Sequence, residues 1–114
     1  MHQDPQQTTC EHSSHHRLAP LMDISRIRER LQELEGWQIE DSYLVKSYKF
    51  ERAIDAIAFV ARIGAAAEER NHHPHVHWWK RDVQIKLRTH KRDGLTSSDF
   101  DFAACCDPLC EVKQ

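Results

Sequence analysis

No stretch of about 18 consecutive apolar residues occurs in the sequence, so a membrane-spanning helix is not expected. Glycine and proline are scarce, at 3 and 4 residues, which sets the chain apart from collagen-like and low-complexity sequences. Charge of one sign is missing too: 16 basic and 18 acidic side chains leave a formal charge of −2. A broad cationic surface for direct nucleic-acid binding is therefore not expected. The 4 cysteines are too few and too unevenly placed for a disulfide scaffold. Cys10 stands alone, Cys105, Cys106 and Cys110 crowd the other end, and no CxxC pair exists for a zinc ribbon or a thioredoxin-type motif. The opening MHQDPQQTTCEHSSHH lacks the apolar run of a secretory signal. Reduced thiols and a cytoplasmic location, with the nucleus as an alternative, follow as expectations. What the chain does have is 9 histidines in 114 residues. Imidazole titrates near neutral pH and ligates metals, so their placement decides what they can do.

Residues 1–20 are polar and without periodicity, and read as a tail with too little apolar surface to offset its ordering entropy. Residues 21–114 read as one domain. Ile24, Ile27, Leu31 and Leu34 mark a helix face, with Asp23 as its cap and Gly36 at its end. Trp37 and Ile39, a polar turn at Glu40-Asp41-Ser42, and Tyr43 to Phe50 then suggest a β-hairpin, although Lys46 interrupts the alternation. Glu51 to Arg70 is alanine-rich and proline-free, with acidic residues early and Arg70 last, as a long helix prefers. Ile54, Ile57, Ala61 and Ala65 are expected to face the core. Phe59 lies only about 40° from the polar stripe of Asp55, Arg62 and Glu69 on a wheel of about 100° per residue, which makes it a candidate contact between subunits. Pro74 breaks this helix. Val76 to Trp79 and the clean alternation Val83, Ile85, Leu87, Thr89 form a second strand pair, with Lys80-Arg81-Asp82 at the turn. Thr96 and Asp99 form a capping box, with Leu95 and Phe100 at the staple positions, for a last helix ending near Asp107. The order α-β-β-α-β-β-α predicts an α+β domain, an antiparallel sheet with helices on one face.

The densest chemistry is the run Glu68-Glu69-Arg70-Asn71-His72-His73-Pro74-His75-Val76-His77, at the boundary between helix and strand. If the last helical turn persists, Glu68 and His72 are neighbours at i and i+4. In the extended segment that follows, His75 and His77 share one face. Three readings stand side by side. One is a histidine metal-binding module, for which no HExxH and no cysteine partner sets a defined geometry. A second is a polar loop that only caps a helix and opens a strand. The third is an acid–base site in which His72 and His73 meet His90, since both loops reach one edge of the sheet.

Glu68-x3-His72-His73-Pro74, then Thr89-His90, then Gly94-Leu95-Thr96-x2-Asp99, resembles the pterin-4a-carbinolamine dehydratase family. Leu31-x2-Leu34-x-Gly36-Trp37, Tyr48-x-Phe50 and the helix ending in Ala67-Glu68 fit as well, so the likeness spans roughly residues 24–107. The resemblance implies a four-stranded antiparallel sheet under helices, and the loss of water from a 4a-hydroxytetrahydropterin in tetrahydrobiopterin recycling. It implies no metal and no organic cofactor. It points to His72, His73 and His90 as the catalytic histidines, and to Glu68, Thr89 and Asp99 at the pterin. It also implies a homodimer or homotetramer, and for some animal members a transcription-factor partner. His75 and Val76 stand where many members have an acidic residue and an aromatic one, and Lys80-Arg81 where many have Tyr-Asn. The ring that would wall in the pterin is then open to question, with Trp78 or Trp79 as substitutes. His75 and His77, outside the matching positions, are expected to matter little.

Overall fold

The computed structural model describes residues 18–111. Its elements are α1 (Ile24–Gln32), β1 (Gln38–Glu40), β2 (Tyr43–Lys49), α2 (Ala53–Arg70), β3 (His75–Trp79), β4 (Asp82–Leu87) and α3 (Ser97–Cys110), with a short 3-10 turn at His90–Arg92. The four strands form one antiparallel sheet in the order β1-β2-β4-β3. This is the α+β arrangement that the sequence order predicts. Among the described residues no helix is long and apolar enough to cross a membrane.

Local chemistry accounts for the boundaries. The Arg26 N–H donates to Asp23 Oδ1 at 2.9 Å and caps α1, and Gly36 at φ 82° supplies the left-handed turn beyond it. Asp41 and Ser42 both have positive φ, the geometry that closes a two-residue hairpin without splaying its strands. Residues at alternate positions then sort to two faces. Leu44 and Tyr48 of β2 and Val83, Ile85 and Leu87 of β4 are buried under the helices. Tyr43, Lys86, His75 and His77 belong to the opposite face, as the pairings Leu44↔Leu87 and His75↔Lys86 require.

Lys46, which breaks the apolar alternation, has a structural task on the helix side. Its ammonium donates to the Glu35 carbonyl at 2.8 Å and to Asp107 Oδ1 at 2.9 Å, tying the end of α1 to α3. Tyr48 donates its hydroxyl to the same Asp107 oxygen at 2.6 Å. A side chain at Gly36 would press on Lys46, whose Cε lies 3.0 Å from where a Cβ would sit.

Four expectations need correction. Helix α2 turns a different face inward: Ala56, Phe59, Ile63 and Ala67 are buried, while Ile54 is 55% and Ile57 42% exposed. Phe59 is fully buried within the subunit, with ring centroids 4.8 Å from Tyr48 and 5.2 Å from Phe50, so it cannot serve as a contact between subunits. The helix carries two apolar arcs, and the sheet takes the one that offers an aromatic ring to two others. Helix α3 runs through Pro108 to Cys110, because a proline in the last turn forfeits a single backbone bond and its carbonyl still accepts from the Glu111 N–H at 3.2 Å. Cys106 and Cys110 are free thiols, whereas Cys105 is disulfide-bonded, against the expectation of reduced thiols throughout.

Burial pushes the Cys106 thiol and the Tyr48 hydroxyl far above their ordinary values near 9 and 10, and the Asp107 charge adds to both shifts. The native chain therefore keeps protons that the unfolded chain releases above about pH 9. Stability is intact below that pH and falls as pH rises beyond it. Urea unfolding midpoints should hold steady from pH 7 to 8.5 and drop progressively above 9. The drop should be shallower in Cys106→Ala, and a stability flat to pH 11 would contradict this account.

Candidate active site

The residues that can do chemistry sit where three chain segments meet: the end of α2, the loop after β4 and the start of α3. Asn71 ends α2 in the left-handed conformation at φ 54°, ψ 41°, and the His72 N–H returns to the Ala67 carbonyl at 3.1 Å. That turn carries His72 off the helix. His72 therefore does not stack on Glu68, as the i, i+4 spacing suggests. Glu68 instead meets His73, with Oε2 2.7 Å from His73 Nε2. This second pair is exposed and adds little to stability.

His72 reaches the first turn of α3, where its Nε2 lies 2.7 Å from Asp99 Oδ1. Asp99 is fully buried, and its other oxygen accepts from Thr89 Oγ1 at 2.8 Å and from the Thr96 N–H at 2.9 Å. The sequence offers two roles for Asp99, helix capping and service to the site. One carboxylate fills both, with Oδ2 closing the capping box and Oδ1 holding His72. The proton order follows. Thr89 spends its hydrogen on Asp99, so its oxygen accepts from the Thr96 hydroxyl at 2.8 Å, and the Thr96 oxygen accepts from the Ser98 N–H. Asp99 only accepts, so His72 donates from Nε2 and keeps Nδ1 to give or take a proton. His72 is largely buried, and its ring centroid lies 6.2 Å from that of Phe102.

His90 directly follows Thr89 and opens the 3-10 turn. The loop is pinned at both ends, with the Thr89 N–H donating to the Gly94 carbonyl at 2.9 Å and Arg92 Nε donating to the Ala19 carbonyl at 3.0 Å. His90 meets neither His72 nor His73 in a hydrogen bond. Its Nε2 lies 3.3 Å from that of His75, and the Tyr43 ring stands edge-on to both imidazoles. The candidate residues thus form two rungs between the same two chain segments, His72–Asp99–Thr89 and His75–His90, with His73 and Glu68 outside them.

Tyr43 and His75 are the residues that sequence reasoning missed. Their parity was legible: Tyr43 opposes Leu44 and Tyr48, and His75 opposes Val76, so both lie on the face away from the helices. Their proximity depends on β2 and β3 flanking β4, which periodicity does not reveal. Neither tryptophan is a core residue, since Trp78 is 48% and Trp79 71% exposed on the edge strand β3. Among the described residues no three His, Cys, Asp or Glu side chains converge as a metal-ligand set.

The dual role of Asp99 makes a direct prediction. In Asp99→Asn the amide nitrogen would face His72 as a donor and force its hydrogen onto Nδ1, while the amide oxygen keeps the cap. Asp99→Ala leaves both Thr96 N–H and Thr89 without their acceptor and should cost about 1–3 kcal/mol in urea unfolding. Asp99→Asn should cost less stability than Asp99→Ala, yet change the His72 ring-nitrogen shifts in two-dimensional NMR. Unchanged His72 shifts in Asp99→Asn would refute the tautomer assignment.

Comparison with known proteins places these residues in context. The family model described as pterin 4 alpha carbinolamine dehydratase matches residues 20–109. A protein from Rubrobacter xylanophilus that bears the family's name is 46% identical over 83 residues, covering 71% of this chain and 78% of the relative. One from Trichormus variabilis is 39% identical over 87 residues, covering 76% and 94%. Among solved structures, a transcriptional coactivator/pterin dehydratase from Brucella melitensis superposes with a TM-score of 0.76 at 29% identity, over 79% of this chain and 98% of the other. A pterin dehydratase-like RuBisCO assembly factor of the alpha-carboxysome shares the fold, with a TM-score of 0.60 at 24% identity over 69% and 94%.

Proposed function

The chain belongs to the pterin-4a-carbinolamine dehydratase family, and from that premise we propose that it converts 4a-hydroxytetrahydropterin to quinonoid dihydropterin by histidine acid–base catalysis. In this reaction the C4a–O bond breaks, the N5 lone pair forms the C4a=N5 bond, the N5 proton leaves, and the departing hydroxyl takes up a proton to become water. One proton is given and one is taken, so the enzyme ends as it began. Two imidazoles held on adjoining segments suit this exchange, each such role being worth about 10²–10⁴-fold.

The observation that carries the reading is the grip of buried Asp99 on His72. A carboxylate that fixes one ring nitrogen and leaves the other for exchange is how a working histidine is oriented. In this scheme His72 and His90 move the protons. His73 binds the pterin or shares the proton work, and exposed Glu68 is available to the ring donors of the pterin. Thr89 and Asp99 are buried and committed to one another, so they act through His72 rather than on the substrate. The proposed context is recycling of tetrahydrobiopterin in the cytoplasm, without metal or organic cofactor.

The Brucella relative is described as a coactivator as well as a dehydratase, which favours a second reading, an interaction module for a transcription factor. The exposed arc of α2, through Ile54, Ile57, Ala61 and Ala65, is the surface that either a second copy or such a partner would use. We place a homodimer or homotetramer first, since an arc of this kind is self-complementary on antiparallel helices.

Turnover of a 4a-hydroxytetrahydropterin, followed by absorbance, separates enzyme from interaction module. His72→Ala and His90→Ala should each lower kcat by about 10²-fold or more with the fold intact. His73→Ala should raise KM more than it lowers kcat if its part is binding, and chelators should leave the rate unchanged. Near-normal kcat in both His72→Ala and His90→Ala would discard the acid–base scheme.

A further inference from the structure

We propose that His75 is a positioning residue of this site, doing for His90 what Asp99 does for His72. The inference rests on the acid–base reading above. Position 75 lies outside the residues matched by resemblance, and sequence spacing alone gives it no task. The structure brings its Nε2 to 3.3 Å from His90 Nε2, with ring centroids 5.3 Å apart and planes at 68°. Two imidazole nitrogens that face one another at this distance make a hydrogen bond in one way only: one bears the hydrogen and the other offers its lone pair. The state of one ring therefore dictates the state of the other.

The pair is held from the side. Tyr43 on β2 has its ring centroid 5.6 Å from that of His75 and 6.3 Å from that of His90, edge-on in both cases. Lys86 Nζ and the Arg88 guanidinium lean on the Tyr43 ring at 4.8 Å and 5.5 Å from its centroid. Arg88 is anchored in turn to Asp93, at the end of the 3-10 turn that His90 opens. His75 itself sits on β3 opposite Lys86. The partner of His90 is thus built on the sheet, while His90 is on a loop.

The two arms of the site then share a plan and differ in one respect. Both histidines are held at Nε2, which leaves Nδ1 of each for the substrate. Asp99 can only accept, so it fixes the hydrogen of His72. His75 can accept or donate, so His90 can exchange its hydrogen between ring nitrogens without losing its partner. A group that must hold a proton at one stage of the cycle and lack it at another needs that freedom.

The test uses the full chain with four proteins: wild type, His75→Leu, His75→Gln and, as control, His77→Ala on the same face of β3. Leucine removes the partner. Glutamine restores a terminal group that either donates or accepts. Expected for His75→Leu is a kcat lowered about ten-fold with KM within two-fold of wild type, together with a displaced His90 Nε2 resonance in long-range ¹H–¹⁵N spectra. Recovery of most of the kcat and of the His90 shift is expected in His75→Gln, and neither quantity should move in His77→Ala. Wild-type kcat in His75→Leu would overturn the proposal, as would equal losses in both His75 variants with the His90 resonance unmoved. Absence of turnover in the wild type itself would reject the dehydratase reading instead. The His90 spectra would then decide the pairing alone, an unmoved resonance in His75→Leu refuting it.

Discussion

A fully buried carboxylate needs its donors arranged before it can be tolerated in an apolar interior, and Asp99 has them from three directions. The Thr96 N–H comes from the start of its own helix, the Thr89 hydroxyl from the loop beyond β4, and the His72 ring from the end of α2. Removing any one contributor leaves a polar group without its partner in the interior, so the three segments are held in register by the cost of separating them. The capping of α3 and the orientation of His72 are consequently one event. A helix start of ordinary kind has become the back wall of the site at the expense of one oxygen atom.

Beneath this junction the helices are fixed on the sheet by shape on one side and by polar ties on the other. The ring of Phe59 lies between Tyr48 and Phe50, and this contact selects which arc of α2 faces inward. Lys46 and Tyr48 meet at Asp107 and join β2 to α3. Position 46 looks like a flaw in the strand pattern because the alternation test scores only apolarity. A lysine whose stem lies along the core while its ammonium meets a carbonyl and a carboxylate satisfies the same face by other means.

The element order, the strand faces, the start of α1 at its Asp23 cap and the capping box were legible because each follows from spacing within a few residues. The family was legible from His72-His73-Pro74, Thr89-His90 and Gly94-Leu95-Thr96 in series. What failed did so where one sequence allows two local solutions. Alanine-rich α2 presents two apolar arcs, and only tertiary contact chooses between them. Glu68 is spaced to meet His72 on a continuing helix, but Asn71 reverses the backbone hand one residue earlier. The pairing of His75 with His90, and the approach of Tyr43, depend on strand order, which no local pattern encodes.

The connection between α2 and β3 consists of the cap residue Asn71 followed by His72, His73 and Pro74, with nothing to spare. The residues that span the gap are the same ones that face the chemistry. Insertions, which most surface loops absorb, would here shift His72 against Asp99 and His75 against His90 together. Neither arm of the site can therefore be adjusted by lengthening its loop, and variation in this part of the chain is confined to exchanging one side chain for another at fixed length. A histidine at position 75 is change of that permitted sort: it alters what His90 touches and leaves the path of the backbone alone.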